Sequence, residues 1–167
     1  LRLANGDQSA FAELYDQLAN RLYHYLLMQT GSPENSADLL QDIFLRLFRK
    51  RDHFRSVDNL PAYVFQVTRH EWIRWSKKNR RINAAYSLLF EHAVEDESHS
   101  IESREEIAMA LNEIEDHFRE VIELKFFGML TLAEVAIVID KPPGTVATWY
   151  RRGIAQMREH IDRDERE

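Results

Sequence analysis

The chain has 167 residues and a mass of 19.8 kDa, with 44% hydrophobic and 30% charged residues, a composition that suits a soluble folded protein of one ordinary domain or two small ones. It contains no cysteine, which excludes disulfides, zinc ribbons and thiol nucleophiles, and its seven histidines never repeat at the i, i+4 spacing of a zincin helix. The net charge of −6 argues against a polyanion partner on average, and no apolar run approaches the length of a membrane span or the form of a signal peptide. We therefore expect a cytoplasmic protein that binds no metal or cofactor and does not insert in a membrane. The missing initiating Met suggests a chain that starts inside a longer gene product.

Glycine and proline are scarce, at 5 and 4, and no alternation of apolar and polar residues marks a strand, so the expected class is all-α. A first helix is expected over 7–28, closed by Thr30, Gly31, Ser32 and Pro33. A second follows over 33–51, then a loop over 52–59. Leu60 and Pro61 open a third helix that continues to the basic run at 77–81. Periodicity then degrades, and Ser, His and acidic residues gather at 94–100, the composition of a flexible acidic linker over 82–103. The expected organisation is thus two small helical domains, 1–81 and 104–167, joined by that linker.

In the second domain, Ile107, Leu111, Ile114 and Phe118 make one apolar stripe, and Val121, Ile122, Leu124, Phe126 and Phe127 a second that stops at Gly128. Thr131 and Glu134 have the spacing of a capping box. A short helix, a turn containing Pro142, Pro143 and Gly144, and a longer helix to about Ile161 then form a helix-turn-helix pattern. At 100° per residue, Val146, Trp149, Tyr150, Gly153, Ile154, Met157 and Ile161 share the packed side of the last helix. Thr148, Arg151, Arg152 and Ala155 project from the other, where arginine forks and a small residue suit close approach to a groove.

Charge is unevenly spread. Residues 46–81 hold eleven Lys/Arg against three acids, whereas 91–123 hold twelve acids against Arg104 and Arg119. On the second helix Asp38, Gln41, Asp42, Leu45 and Arg49 share the outer face, so Leu45 between two carboxylates has the form of an apolar anchor in a protein interface. On the third, Gln66, Arg69 and His70 face outward and suit a phosphate backbone, while Trp72 and Trp75 face the core; the inward Glu71 is expected to pair with Arg74 or His70.

Four segments in order resemble the extracytoplasmic-function (ECF) sigma factors, the smallest promoter-recognition subunits of bacterial RNA polymerase. SADLLQDIFLRLF at 36–48 is similar to the family's polymerase-binding motif, usually A-E-D-L-x-Q-[ED]-x-F-L-R-x-[WF], and LPAYVFQVTRH at 60–70 to its promoter-melting helix. Residues 111–122 resemble the start of the family's second domain, and 132–148 its helix-turn-helix. The resemblance covers nearly the whole chain. It implies a non-enzymatic factor whose first domain docks on the clamp helices of the polymerase β′ subunit through Asp38, Gln41, Asp42, Leu45 and Arg46. Phe54, Arg55, Ser56 and Asn59 would hold a flipped base of the minus-ten element, aided by Gln66, Arg69 and His70. Thr145, Thr148, Arg151 and Arg152 would read the minus-thirty-five element, with the domain seated on the β-flap.

The resemblance also makes an anti-sigma partner an expectation, and it would thread the acidic linker through the polymerase cleft. The chain departs from the family pattern at Tyr63, His70, Asn112, Ala147 and Trp149, and the missing cations at 147 and 149 leave its promoter preference open. A stand-alone helix-turn-helix regulator would account for 131–158 but leave the 38–48 face idle. An enzyme has less support still: there is no Gly-rich phosphate loop or nucleophile elbow.

Overall fold

The computed structural model describes residues 1–79 and 109–164, and the described residues contain helices and no strand. Helix α1 spans Gln8–Thr30, α2 spans Pro33–Arg49, a 3-10 helix spans Arg51–Ser56, and α3 spans Leu60–Lys78. After a helical turn at 109–113 come α4, Asp116–Phe126, α5, Leu132–Ile139, and α6, Pro143–Asp164. The expected linker at 82–103 lies outside the described residues, as do Arg80, Arg81 and Ile107.

Local chemistry sets these boundaries. The Asp7 carboxylate accepts from the Ser9 and Ala10 amides at 2.9 and 3.2 Å, satisfying donors that an N-terminus leaves free. Gly31 ends α1 in the left-handed region, at φ 63°, where a side chain would be strained. Ser32 and Asn59 cap α2 and α3, each with a proline in the first turn. The expected loop at 52–59 instead begins as a 3-10 helix, anchored by Phe54. In the second unit, Arg119 donates to the carbonyls of Leu111, Asn112 and Ile114 at 2.7, 3.1 and 3.1 Å, satisfying acceptors where the chain turns into α4.

The two helical units are present, but they are not independent. Leu14, Leu18, Leu22 and Tyr25 of α1, Ile43 and Leu47 of α2, and Val64 and Phe65 of α3 share one buried cluster with Val121, Leu124, Leu130, Val135 and Val138 of the second unit. The main seam lies between α3 and α5. Met28 of α1 reaches the smaller cluster of Leu111, Ile114, Phe118, Ile122 and Met157. The two lobes share a common core, because apolar faces that the sequence shows within each lobe also serve its neighbour. Phe126, assigned to the second apolar stripe, is 56% exposed.

Candidate docking and nucleic-acid interfaces

Outward on α2, Asp38, Gln41, Asp42 and Leu45 are exposed, with Leu45 at 47%, and Ile43 and Leu47 are buried behind them. Leu45 borders a groove of about 860 Å³ between α1 and α2, whose apolar wall includes Tyr15, Phe44 and Phe48. Phe48 closes the 36–48 motif, and Tyr15, which the sequence does not single out, enlarges the apolar patch because α1 brings its own outer face alongside. Arg46 is half-buried and pairs with Glu71 at 3.0 Å, and Arg74 meets the same carboxylate at 3.2 Å. Glu71 is thus tied to Arg74, as expected, and also to Arg46 across the α2–α3 junction.

The second surface lies along the 3-10 helix and α3. Phe54 is a correction. Only 7% exposed, it packs edge-to-face on Phe11 and Tyr63 with ring centroids 5.9 and 5.5 Å apart, so its ring is unavailable to stack on a base. Its neighbours Arg55 and Ser56 are exposed; Arg55 donates to the Asn5 side chain at 3.0 Å and the Ser56 hydroxyl to the His53 carbonyl at 3.1 Å. Gln66 is half-buried and His70 exposed. Between α2 and α3 lies a cavity of about 220 Å³ lined by Lys50, His53, Tyr63, His70 and Arg74 beside the Arg46–Glu71 pair. The sequence singles out Arg46, Tyr63, His70, Glu71 and Arg74 separately but not their gathering around one cavity, since only the crossing of two helices places positions 50 and 74 together. Burial raises the Tyr63 phenol, an effect that the Arg46 charge opposes. Trp72 and Trp75 are half-buried and stack at 5.6 Å.

Two residues of this surface are engaged by the second unit. The Asn59 amide donates to Glu134 at 3.3 Å while its oxygen caps α3 by accepting from the Ala62 amide at 2.9 Å. Arg69 donates to both oxygens of Glu120, at 2.6 and 3.2 Å, and that bond holds its guanidinium charged against the opposing effect of burial. Close by, Gln29 donates to Glu123, a carboxylate only 3% exposed whose second oxygen has no hydrogen-bond partner. Desolvation pushes the Glu123 carboxyl up to about 7.

The third surface is the helix-turn-helix. Thr131 and Glu134 form the expected reciprocal box, with the Thr131 amide donating to the carboxylate at 2.8 Å and the Glu134 amide to the hydroxyl at 3.2 Å. Asp140 ends α5 in the left-handed region, at φ 53°, and α6 starts at Pro143. Val146, Gly153 and Met157 face inward; a Cβ at Gly153 would sit 2.8 Å from Ile122 and 3.0 Å from Phe118, so glycine lets α6 approach α4. Arg151, Arg152 and Ala155 are exposed, and Thr145 is half-buried. The Thr148 hydroxyl donates to the Gly144 carbonyl at 2.9 Å, which leaves it an acceptor toward a ligand.

The sequence and the fold are shared by known proteins. The family described as Sigma-70 region 2 matches residues 14–82, and the family described as Sigma-70, region 4 matches 104–157. The ECF RNA polymerase sigma factor SigM of Bacillus subtilis is 28% identical over 134 residues, covering 77% of this chain and 80% of SigM. SigW of the same organism is 25% identical over 174 residues, covering 96% of this chain and 93% of SigW. Among solved structures, CnrH in complex with the cytosolic domain of CnrY superposes with a TM-score of 0.74 at 20% identity, over 98% of this chain and 94% of that one. The sigma factor RpoE in complex with the anti-sigma factor NepR, from Bartonella quintana, gives 0.69 at 21% identity over 92% and 97%. These structures share the fold. Two sigma-70 regions in their proper order, on helices that present these surfaces, make the chain a member of the ECF sigma factor family.

Proposed function

We propose that this chain directs bacterial RNA polymerase to specific promoters and starts DNA-templated transcription. The observation that carries the proposal is the exposure, on one molecule, of an acid-flanked apolar anchor at Leu45 and a paired-arginine helix face at Arg151 and Arg152. An apolar residue ringed by carboxylates and an amide suits a basic, partly apolar helical partner, as the polymerase clamp helices would be. Asp38, Gln41, Asp42, Leu45 and Arg46 are assigned to that contact.

Arg55, Ser56, Asn59, Gln66, Arg69 and His70 are assigned to the minus-ten strand. The cavity at Lys50, His53, Tyr63 and Arg74 supplies cations and an aromatic edge where a base leaves the stack. Thr145, Thr148, Arg151 and Arg152 are assigned to the minus-thirty-five element in the major groove. Residues 1–81 and 104–167 serve as the two functional domains, with 82–103 between them, and the second domain is assigned to the β-flap. The working compartment is the cytoplasm, where polymerase resides, and among the described residues no helix is long and apolar enough to cross a membrane. An anti-sigma protein covering the α2 face would switch the factor off.

Run-off transcription with core polymerase on a promoter library tests the proposal. Discrete transcripts that need both the chain and polymerase are expected. Operator binding by the chain alone, with no transcripts, would point to a stand-alone regulator and overturn it.

A further inference from the structure

A single carboxylate at the crossing of α2 and α3 holds two arginines. Glu71 Oε1 lies 3.0 Å from Arg46 Nη1 and accepts from Arg74 Nη1 at 3.2 Å, and the same nitrogen of Arg74 donates to Oε2 at 3.3 Å. The two ends of this triad differ. The Glu71 side chain is 16% exposed and tied back to α2 by Arg46, whereas that of Arg74 is 63% exposed and borders the cavity of about 220 Å³ beside the pair. Among the described residues that line the cavity Glu71 is the one carboxylate, against Arg46, Lys50 and Arg74, so the lining keeps a net positive charge.

A guanidinium offers five donors in a rigid planar fork. With Nη1 turned to Glu71, Nε and Nη2 of Arg74 have no hydrogen-bond partner among the described residues, and the anchor fixes the direction in which they point. The acceptor that suits a fork presented in this way is a phosphate oxygen, which takes charge-assisted bonds from it. Arg74 also lies one turn beyond His70 on the helix already assigned to the minus-ten strand.

We propose that Arg74 is a further contact of that strand, made to a backbone phosphate, and that Glu71 is its positioning residue, itself held from α2 by Arg46. The proposal rests on the reading of α3 as the helix that meets the minus-ten strand. A phosphate contact carries no sequence information, so Arg74 sets the register of the backbone while neighbouring side chains read the bases.

The test uses the full chain and a fluorescent single-stranded DNA oligonucleotide of randomised sequence, titrated over a range of salt. Arg74→Ala should weaken binding about fivefold at low salt and flatten the slope of log affinity against log salt by about 0.7, the release expected for one phosphate of a single strand. Arg49→Ala removes an equal charge from the exposed end of α2 and should change the slope less. Arg74→Lys keeps the charge but not the fork, so it should weaken binding about fivefold with the slope retained. In a Glu71→Gln background the same change should cost less than about twofold, because the fork is no longer aimed; the charge lost at 71 is common to both arms of that comparison. Glu71→Asp, whose carboxylate is set back by one methylene, repeats it should Glu71→Gln not fold.

No binding by the parent at low salt, an unchanged slope in Arg74→Ala, or an equal drop in Arg49→Ala overturns the phosphate contact. An equal cost of Arg74→Lys in both backgrounds overturns the positioning role, since a merely structural Glu71 would leave that cost unchanged. The underlying reading fails separately: promoter-dependent transcripts from a chain whose Arg74→Ala variant binds like the parent would remove Arg74 and leave the reading standing, and a lack of transcripts would remove the reading whatever the oligonucleotide binds.

Discussion

The guanidinium of Arg21, on α1, donates to the Gly128 carbonyl from Nε at 2.9 Å and from Nη2 at 2.7 Å, and Nη2 also reaches the Met129 carbonyl at 3.1 Å. The same group lies 5.6 Å from the centre of the Phe65 ring. One cation from the first unit thus holds the turn between α4 and α5 of the second, where Met129 adopts a left-handed backbone at φ 50°.

Gly128 itself tolerates no side chain. An added Cβ would lie 2.5 Å from the Leu124 carbonyl oxygen and 3.0 Å from Phe65 Cε1. Gly128→Ala should therefore cost about 1–3 kcal/mol, the range of overpacked cores, seen as a lower midpoint in urea. Gly144→Ala, whose Cβ would meet nothing within 4 Å, should stay within about 0.5 kcal/mol of the parent. Equal effects at both sites would show that Gly128 is not sterically constrained.

Leu45→Glu should leave stability within about 0.5 kcal/mol, because the side chain already stands in water, yet abolish co-elution with core polymerase. Ile43→Glu, two residues away and fully buried, should unfold the chain. Retention of polymerase binding by a folded Leu45→Glu protein would remove α2 from the docking surface.

Much of this arrangement is written in short-range chemistry. Thr131 and Glu134 declare their capping box by spacing, and the 100° projection of α6 separates Val146 and Met157 from Arg151 and Arg152. The acid-flanked Leu45 is visible for the same reason. What periodicity cannot supply is the identity of the surface on the other side. An apolar face on α3 looks the same whether it packs on α1 or on α5, so the union of the two units was invisible, and with it the engagement of Asn59 and Arg69. Phe54 was misplaced because aromatic rings suit both bases and cores, and only its packing on Phe11 and Tyr63 decides. Glu123 escaped notice because a carboxylate within an apolar helix ordinarily points to water.

That carboxylate makes stability depend on pH in a defined direction. Its pKa is raised from 4.5 to about 7 in the folded chain, mainly by desolvation; Gln29 and Arg119 pull it down, and Glu120 and Asp116 push it up. The folded state therefore favours the protonated form. The penalty is absent below about 4.5, grows as pH rises through 7, and is complete above, reaching about 3 kcal/mol at 1.4 kcal/mol per unit. Between pH 5 and pH 8 the parent should lose stability relative to Glu123→Gln in chemical denaturation. A constant difference between the two proteins across that range would mean that Glu123 is ionised throughout.

Arg151→Ala and Arg152→Ala should each weaken recognition of the upstream element by the polymerase-bound chain by about 1–3 kcal/mol where the arginine meets a guanine, and by less, with a shallower salt slope, where it meets a phosphate. Both side chains are exposed, so thermal stability should not change. Promoter profiling of the holoenzyme carrying each variant distinguishes base from backbone contact. Promoter choice indifferent to both substitutions would move recognition elsewhere on α6.

The shared core sets a condition on the life of the protein away from its partner. Parting the units would open the cluster that holds Phe65, Leu124, Leu130 and Val135, side chains fully hidden in the joined form, and water penalises any apolar surface so exposed. A partner that held the units apart would have to cover those apolar patches, and the chain's resistance to an added protease would report how fully it did so.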